Sequence, residues 1–225
     1  MTPVRRVWIT RAEPGAARTA DRLIALGFEP VIAPLLAVRP LDAVVDLDGV
    51  AALAFTSRNG VDVFAGLSAE RGLPVFTVGD ATAEAAREKG FADVRSADGA
   101  LGDMAALLMS EAPQGGMLLV PGALEPAGDL PALLVGRIWA RALPIYEAVE
   151  TSVAAPQSFD AVLIHSARAG KALRARGPFG GGCAVVLSEA VANALGDRAG
   201  LEIRIAAAPN EAALLEALGK AARPV

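Results

Sequence analysis

The sequence predicts an α/β protein made of two similar domains, each with a parallel sheet, and three observations predict it. Short continuous apolar runs alternate with segments of helical period along all 225 residues, the pattern of parallel strands covered by helices on both faces. The chain also repeats itself. Phe-Thr-Ser at 55–57 returns as Ile-His-Ser at 164–166, residues 78–83 return as 187–192, and 93–95 return as 202–204, always at an offset of 109. After a two-residue slip, Ala-Ala-Leu-Leu at 105–108 returns at 212–215. A period this long suits a duplicated domain, not a solenoid unit. Finally, two extended stretches, 34–40 and 146–151, stand where a chain would cross between such domains.

Val7-Trp8-Ile9 reads as the first strand. A helix follows over 16–26, with Leu23 and Leu26 turned inward and Gly27 stopping it. Further strands are expected at 30–33, 52–55, 75–78, 93–95, 117–120, 143–146, 161–164, 184–187 and 202–205, with helices including 81–89, 103–111, 191–198 and 210–221. The pieces are of two kinds: a short βαβ unit at about 5–33 and 117–146, and a longer β-α-β-α-β-α unit at about 50–112 and 159–221. Contiguous domains would be 1–112 and 117–225. The extended crossings favour the other pairing, in which the chain ends meet. A discontinuous domain of 1–34 with 152–225 then holds a second at 41–145, both flavodoxin-like, with 35–40 and 146–151 as inter-domain linkers forming a two-stranded β ladder.

With 53% hydrophobic and only 4% aromatic residues, the cores must rest on Ala, Leu and Val. The net charge of −4 argues against nonspecific nucleic-acid binding, which needs a basic surface. It leaves room for an anionic small molecule opposed by local arginines. Eighteen of the 21 basic residues are Arg; coding bias accounts for that ratio better than the arginine fork's fit to carboxylates does. One cysteine, Cys183, makes no internal disulfide and reads as a small residue at the wrong end of its strand for a nucleophile. No segment approaches the roughly 18 apolar residues of a membrane span, and the N-terminal residues lack a signal core. A soluble, cytoplasmic monomer with no membrane or nucleic-acid partner is expected.

Ligands of parallel α/β sheets bind beyond the carboxyl ends of the strands. There the next helix begins with unpaired N–H groups and partial positive charge. Thr10, Arg11, Ser57, Arg58, Gly79, Thr82, Gly122, Ser166, Arg168 and Ser188 are read at such points. Their hydroxyls have two readings: N-caps that satisfy helix donors, or groups that hold an anion beside those donors. His165, the single histidine, allows either local capping or chemistry. Alone it makes a metal cluster or a Ser-His-Asp triad a poor reading. Thr10-Arg11-Ala12-Glu13-Pro14-Gly15 is no dinucleotide fingerprint, and no Walker motif is present. Tyr146, the single tyrosine, closes a strand at a crossing; it is either a packed ring or a phenol able to protonate a leaving hydroxyl.

The same residues resemble the uroporphyrinogen-III synthase family over nearly the whole chain. The resemblance rests on Ile-Thr-Arg-Ala-Glu-Pro-Gly at 9–15, Gly-Phe-Glu-Pro-Val-Ile-Ala-Pro-Leu-Leu at 27–36, Ala-Phe-Thr-Ser-Arg-Asn-Gly-Val at 54–61, Phe-Thr-Val-Gly-Asp-Ala-Thr-Ala at 76–83, and Tyr146 on the return crossing. It implies a cyclising hydro-lyase of tetrapyrrole biosynthesis (haem, sirohaem, cobalamin). Hydroxymethylbilane, a linear tetrapyrrole, loses water and closes to uroporphyrinogen III with its last ring inverted. The family uses no cofactor and no metal. The resemblance makes Tyr146 the proton donor, lines the cleft with Ser57, Thr82 and Ser166, and sets arginines such as Arg11 against the acidic arms of the substrate.

Departures from the pattern are Ser188 and Val191, where a Gly and a Thr are usual, Val120-Pro121-Gly122 in place of an Arg-Gly pair, and Ala148 for a Thr. They motivate the alternative of a catalytically weakened, two-lobed binding module for an anionic metabolite. A flavodoxin-like phosphate or nucleotide binder is a third reading, set back by the missing phosphate loop.

Overall fold

The computed structural model describes residues 4–220, the side chain of Arg198 excepted. In chain order its elements are β1 (Arg6–Ile9), α1 (Gly15–Ala25), β2 (Glu29–Ile32), β3 (Leu36–Pro40), β4 (Val50–Phe55), α2 (Arg58–Leu67), β5 (Val75–Thr77), α3 (Asp80–Glu88), β6 (Val94–Ser96) and α4 (Leu101–Glu111). After these come β7 (Met117–Ala123), α5 (Leu130–Leu134), β8 (Ala140–Glu150), β9 (Ala161–Ile164), α6 (Ala167–Arg176), β10 (Cys183–Val186), α7 (Glu189–Leu195), β11 (Glu202–Ile205) and α8 (Glu211–Leu218). The chain divides into two compact units. One holds the residues up to Ala37 and from Val149 on; the other is the contiguous stretch Val38–Ala148.

The first unit carries a five-stranded parallel sheet in the order β11-β10-β9-β1-β2. Counted along this unit's own strands, that is 2-1-3-4-5, the flavodoxin-like order. Alternate residues of each strand face opposite cores. Val7, Ile9, Leu163 and Val185 pack with Leu23 of α1 and Leu214 of α8. Trp8, Val162, Ile164 and Val186 pack with Leu173 of α6 and Leu195 of α7. Trp8 is fully buried among Phe159 and Phe179, and its indole N–H donates to the Ala33 carbonyl at 2.7 Å, so its one polar atom is satisfied.

The second unit has a six-stranded sheet, β3-β8-β7-β4-β5-β6. Its five parallel strands from β8 to β6 repeat the same spatial order, but the chain supplies β4–β6 before β7–β8. This is the permutation that the short-long-short-long order of the sequence implies. Leu53, Phe55, Phe64, Phe91 and Ile145 fill one face; Ala54, Phe76, Met104, Leu118 and Leu134 fill the other. The sixth strand, β3, lies beside β8. Thr151 N–H donates to Leu35 O and Leu41 N–H to Ile145 O, so these two strands run antiparallel. Arg39 faces Glu147 across the pair, its Nε donating to Oε1 at 2.8 Å. The chain leaves the first unit along β3 and returns along β8.

Several expected boundaries move. α1 ends one residue early: Leu26 is its C-cap and is 53% exposed, not inward. Gly27 takes φ +85°, and the Phe28 N–H reaches back to Leu23 O, a Schellman closure in which Phe28, not Leu26, packs on Leu23. The helix expected at 191–198 ends at Leu195, where Gly196 (φ +62°) turns the chain into a 3₁₀ turn at Asp197–Ala199. α8 stops at Leu218; Ala221, to which it was expected to run, lies outside the described residues. β7 continues through Pro121 and Gly122 to Ala123. Gly122 is therefore a strand residue and not a helix start.

Candidate functional site

In a 2-1-3-4-5 sheet the chain turns in opposite directions from the first and third positions, leaving a crevice beyond their carboxyl ends. The second unit has this switch between β7 and β4. Phe55 ends β4, and Ser57 N-caps α2, its Oγ accepting from Gly60 N–H at 3.1 Å. The same Oγ is 2.9 Å from the Tyr146 hydroxyl. Tyr146 sits on β8 opposite Ala123, just past a register shift between Gly122 and Ala123 at which β8 carries Ile145 as an extra residue. Its side chain is buried in the core with Phe55 and Ile145, only 7% exposed. The ring is thus packed in the core, and the hydroxyl is held at the switch point by a serine 89 positions away.

α2 comes so close to β7 that a Cβ on Gly60 would stand 3.1 Å from Pro121 O. The glycine lets the capped turn approach the strand. Around this pair, Gly79 N-caps α3 in extended backbone with no side-chain cap. Thr82 is buried in the first turn of α3. Arg58 turns its guanidinium to α3, 3.8 Å from Glu84 and 3.5 Å from Glu88, with its Nε sealed and unpartnered. Gly122 lies on β7 opposite Pro144.

In the first unit the switch lies between β1 and β9. The Thr10 hydroxyl, fully buried, donates to Leu163 O at 2.6 Å and ties the two strand ends together. Ser166 N-caps α6 through Ala169 N–H at 3.2 Å, as Ser57 caps α2. Arg168 follows in that helix's first turn, half-buried. Ser188 N-caps α7 but makes no side-chain cap bond, so it corresponds to Gly79 in backbone alone. Val191 is buried at the third position of α7, the place Thr82 holds in α3.

Arg11 folds over α1, where a Cβ on Gly15 would fall 2.5 Å from its Nε. Its guanidinium lies 3.4 Å from Thr19 Oγ1 and 3.5 Å from Glu211. Glu211 also pairs with Arg22 at 2.7 Å and takes the Thr19 hydroxyl. Nothing in the sequence marked Glu211: it opens α8, some two hundred positions from Arg11, and its acidic place in a first turn looks like ordinary helix-dipole compensation. His165 does no capping, since Ser166 caps α6. Both its ring nitrogens are sealed without a hydrogen-bond partner. Burial, with Arg11 adding a smaller repulsion, holds its pKa down at about 3, so the imidazole is neutral near pH 7. Cys183 begins β10 at the opposite end of the sheet, with its thiol pKa pushed up chiefly by burial.

Among the described residues no helix is long and apolar enough to cross a membrane. A family model described as "Uroporphyrinogen-III synthase HemD" matches residues 17–216. The chain is similar in fold to uroporphyrinogen-III synthetase from Helicobacter pylori, with a TM-score of 0.67 at 19% identity over 95% of this chain and 97% of that one. A mutant uroporphyrinogen III synthase from the extremely thermophilic bacterium Thermus thermophilus gives a TM-score of 0.51 at 20% identity, over 96% and 90% of the two chains. No curated protein matches by sequence.

Proposed function

The chain belongs to the uroporphyrinogen-III synthase family, a family of cyclising lyases, and from that premise we propose that Tyr146 is the proton donor of the reaction. Hydroxymethylbilane leaves as uroporphyrinogen III after losing one water. The C–O bond of the terminal hydroxymethyl group breaks, the phenol proton completes the departing water, and the bilane closes on the cationic carbon left behind with its last ring inverted. The observation that supports the role is the Ser57–Tyr146 hydrogen bond at the switch point of the second unit. Ser57 Oγ already accepts from Gly60 N–H, so its own hydroxyl can donate a hydrogen bond that steadies the phenolate, which takes back the proton that the last pyrrole releases when the ring closes. The rest of the acceleration comes from holding a flexible chain in a closing pose.

The purified chain, given hydroxymethylbilane, is expected to yield type III isomer above the spontaneous type I background; equal isomer ratios with and without protein would overturn the reading. General acid catalysis contributes about 10²–10⁴-fold. Tyr146→Phe should therefore lower kcat by about 10² or more while leaving binding close to wild type, and an unchanged kcat would remove its role. A catalytically weakened binding module is favoured instead if the chain holds the bilane without turning it over. The departure at Val191 gives that reading little support, because Val191 and Thr82 are both packing positions. We place the enzyme in the cytoplasm as a monomer acting on a small molecule, a state that sedimentation at micromolar concentration tests.

A further inference from the structure

His165 follows β9 directly, at the switch point of the first unit's sheet. Leu163 belongs to the core shared with α1 and α8, and Ile164 to the core shared with α6 and α7. By strand alternation His165 falls on the α1/α8 side, where Arg11, Thr19 and Glu211 meet. Its ring nitrogens are sealed, and neither has a hydrogen-bond partner. Buried polar groups are almost always paired, because an unpaired one forfeits its hydration without replacement. An imidazole left with two vacant positions at the place where such sheets receive ligands is a group waiting for one.

We infer that His165 is a substrate-contacting residue of this site, taking a pyrrole N–H of a tetrapyrrole at one ring nitrogen and donating from the other to a carboxylate arm. This rests on the reading that the chain acts on a linear tetrapyrrole. A neutral imidazole offers one acceptor and one donor, and a pyrrole ring with an acidic arm offers the complementary donor and acceptor. A protonated imidazole would offer two donors and refuse the pyrrole. Arg11 sits close enough to disfavour the proton on His165, and it is itself a carboxylate partner. Its hold on Glu211, at 3.5 Å, is looser than that of Arg22 at 2.7 Å. An incoming carboxylate draws Arg11 from Glu211, and that movement beside the ring opens the sealed imidazole nitrogens to the bilane.

Because the chain has one histidine, the imidazole nitrogens of uniformly ¹⁵N-labelled full-length protein give unambiguous long-range ¹H–¹⁵N signals. The probe is a bilane whose terminal hydroxymethyl is replaced by methyl, which keeps every N–H and carboxylate and has no water to lose. Saturation should shift the accepting nitrogen while the ring stays neutral. His165→Leu should weaken bilane binding roughly five- to tenfold, the worth of one or two ordinary hydrogen bonds, without lowering Tm, and His165→Gln, which keeps a donor and an acceptor, should restore part of the loss. Unmoved imidazole signals at saturation, in a wild-type chain that binds the bilane and makes type III isomer, would overturn this inference alone. So would His165→Leu with wild-type affinity. A wild-type chain that neither binds the bilane nor makes type III isomer would overturn the parent reading and this inference with it.

Discussion

A single imidazole gives this protein a measurable acid sensitivity. His165 in the folded chain resists protonation down to a pKa of about 3, first because it is buried and then because of Arg11. In the unfolded chain it takes its proton near pH 6.5. Between those values the unfolded state binds more protons, so stability rises with pH across the window and is lost as pH falls below about 6.5. From pH 6.5 to pH 5 this group should cost the wild type about 1.5 kcal/mol that His165→Leu does not lose. Urea midpoints of the two proteins across that interval check it, and parallel profiles would count against a sealed, neutral imidazole. What the sequence showed here was limited. The neighbourhood of Ser166 left capping and chemistry equally open for His165, and only coordinates separate a serine that caps from a histidine that has no partner. Glu211 was invisible for a related reason: its partners Arg11, Thr19 and Arg22 sit on the far side of the chain, and local pattern carries no trace of a contact across nearly the whole sequence.

At the scale of elements, strands and helix starts were legible because apolar runs and cap residues are local signals. Ser57 and Ser166 cap equivalent helices with nearly the same backbone angles, as the repeated Ser at the 109-residue offset suggests. The misread ends have local causes too. Leu26 fits the apolar period of α1, yet the glycine after it bends the chain before its side chain can reach the core, and Phe28 takes its place. Pro121-Gly122 has turn composition but continues β7, because a proline on a strand is tolerated where its missing N–H is not needed. The two caps make a matched pair for experiment. Ser166→Ala should cost about 1 kcal/mol, the ordinary value of an N-cap. Ser57→Ala should cost a similar amount and also slow turnover, because it removes the serine hydroxyl from Tyr146. Chemical denaturation and the isomer assay on both variants check this; wild-type turnover in Ser57→Ala would reduce Ser57 to a cap.

The molecule as a whole carries one tryptophan in each unit, in unlike surroundings: Trp8 is fully buried and Trp139 is 74% exposed. Intrinsic fluorescence should therefore follow the unfolding of the first unit almost alone, while far-UV circular dichroism sees both. Chains of two units often break two-state behaviour, so the two probes should give different urea midpoints, and Trp139→Phe should leave the fluorescence transition where it was. Coincident midpoints would show a single cooperative block. The duplication and the permuted strand order were readable because each unit repeats the same run of elements. The pairing of β3 with β8 followed from where the extended segments fell, whereas the register shift beside Tyr146 has no signature in residue type.

That permuted order also sets a timetable for synthesis. β1, with Val7, Trp8 and Ile9, emerges early, but its neighbour β9 starts only at Ala161. At about 5–20 residues per second on the ribosome, the opening strand waits roughly 10–30 s for one of its two partners. The whole inserted unit, ending at Ala148, is made in the interval. A nascent chain thus carries a complete inserted module and an apolar strand still short of one neighbour at once, the kind of unpaired edge through which long-range parallel sheets are exposed to aggregation.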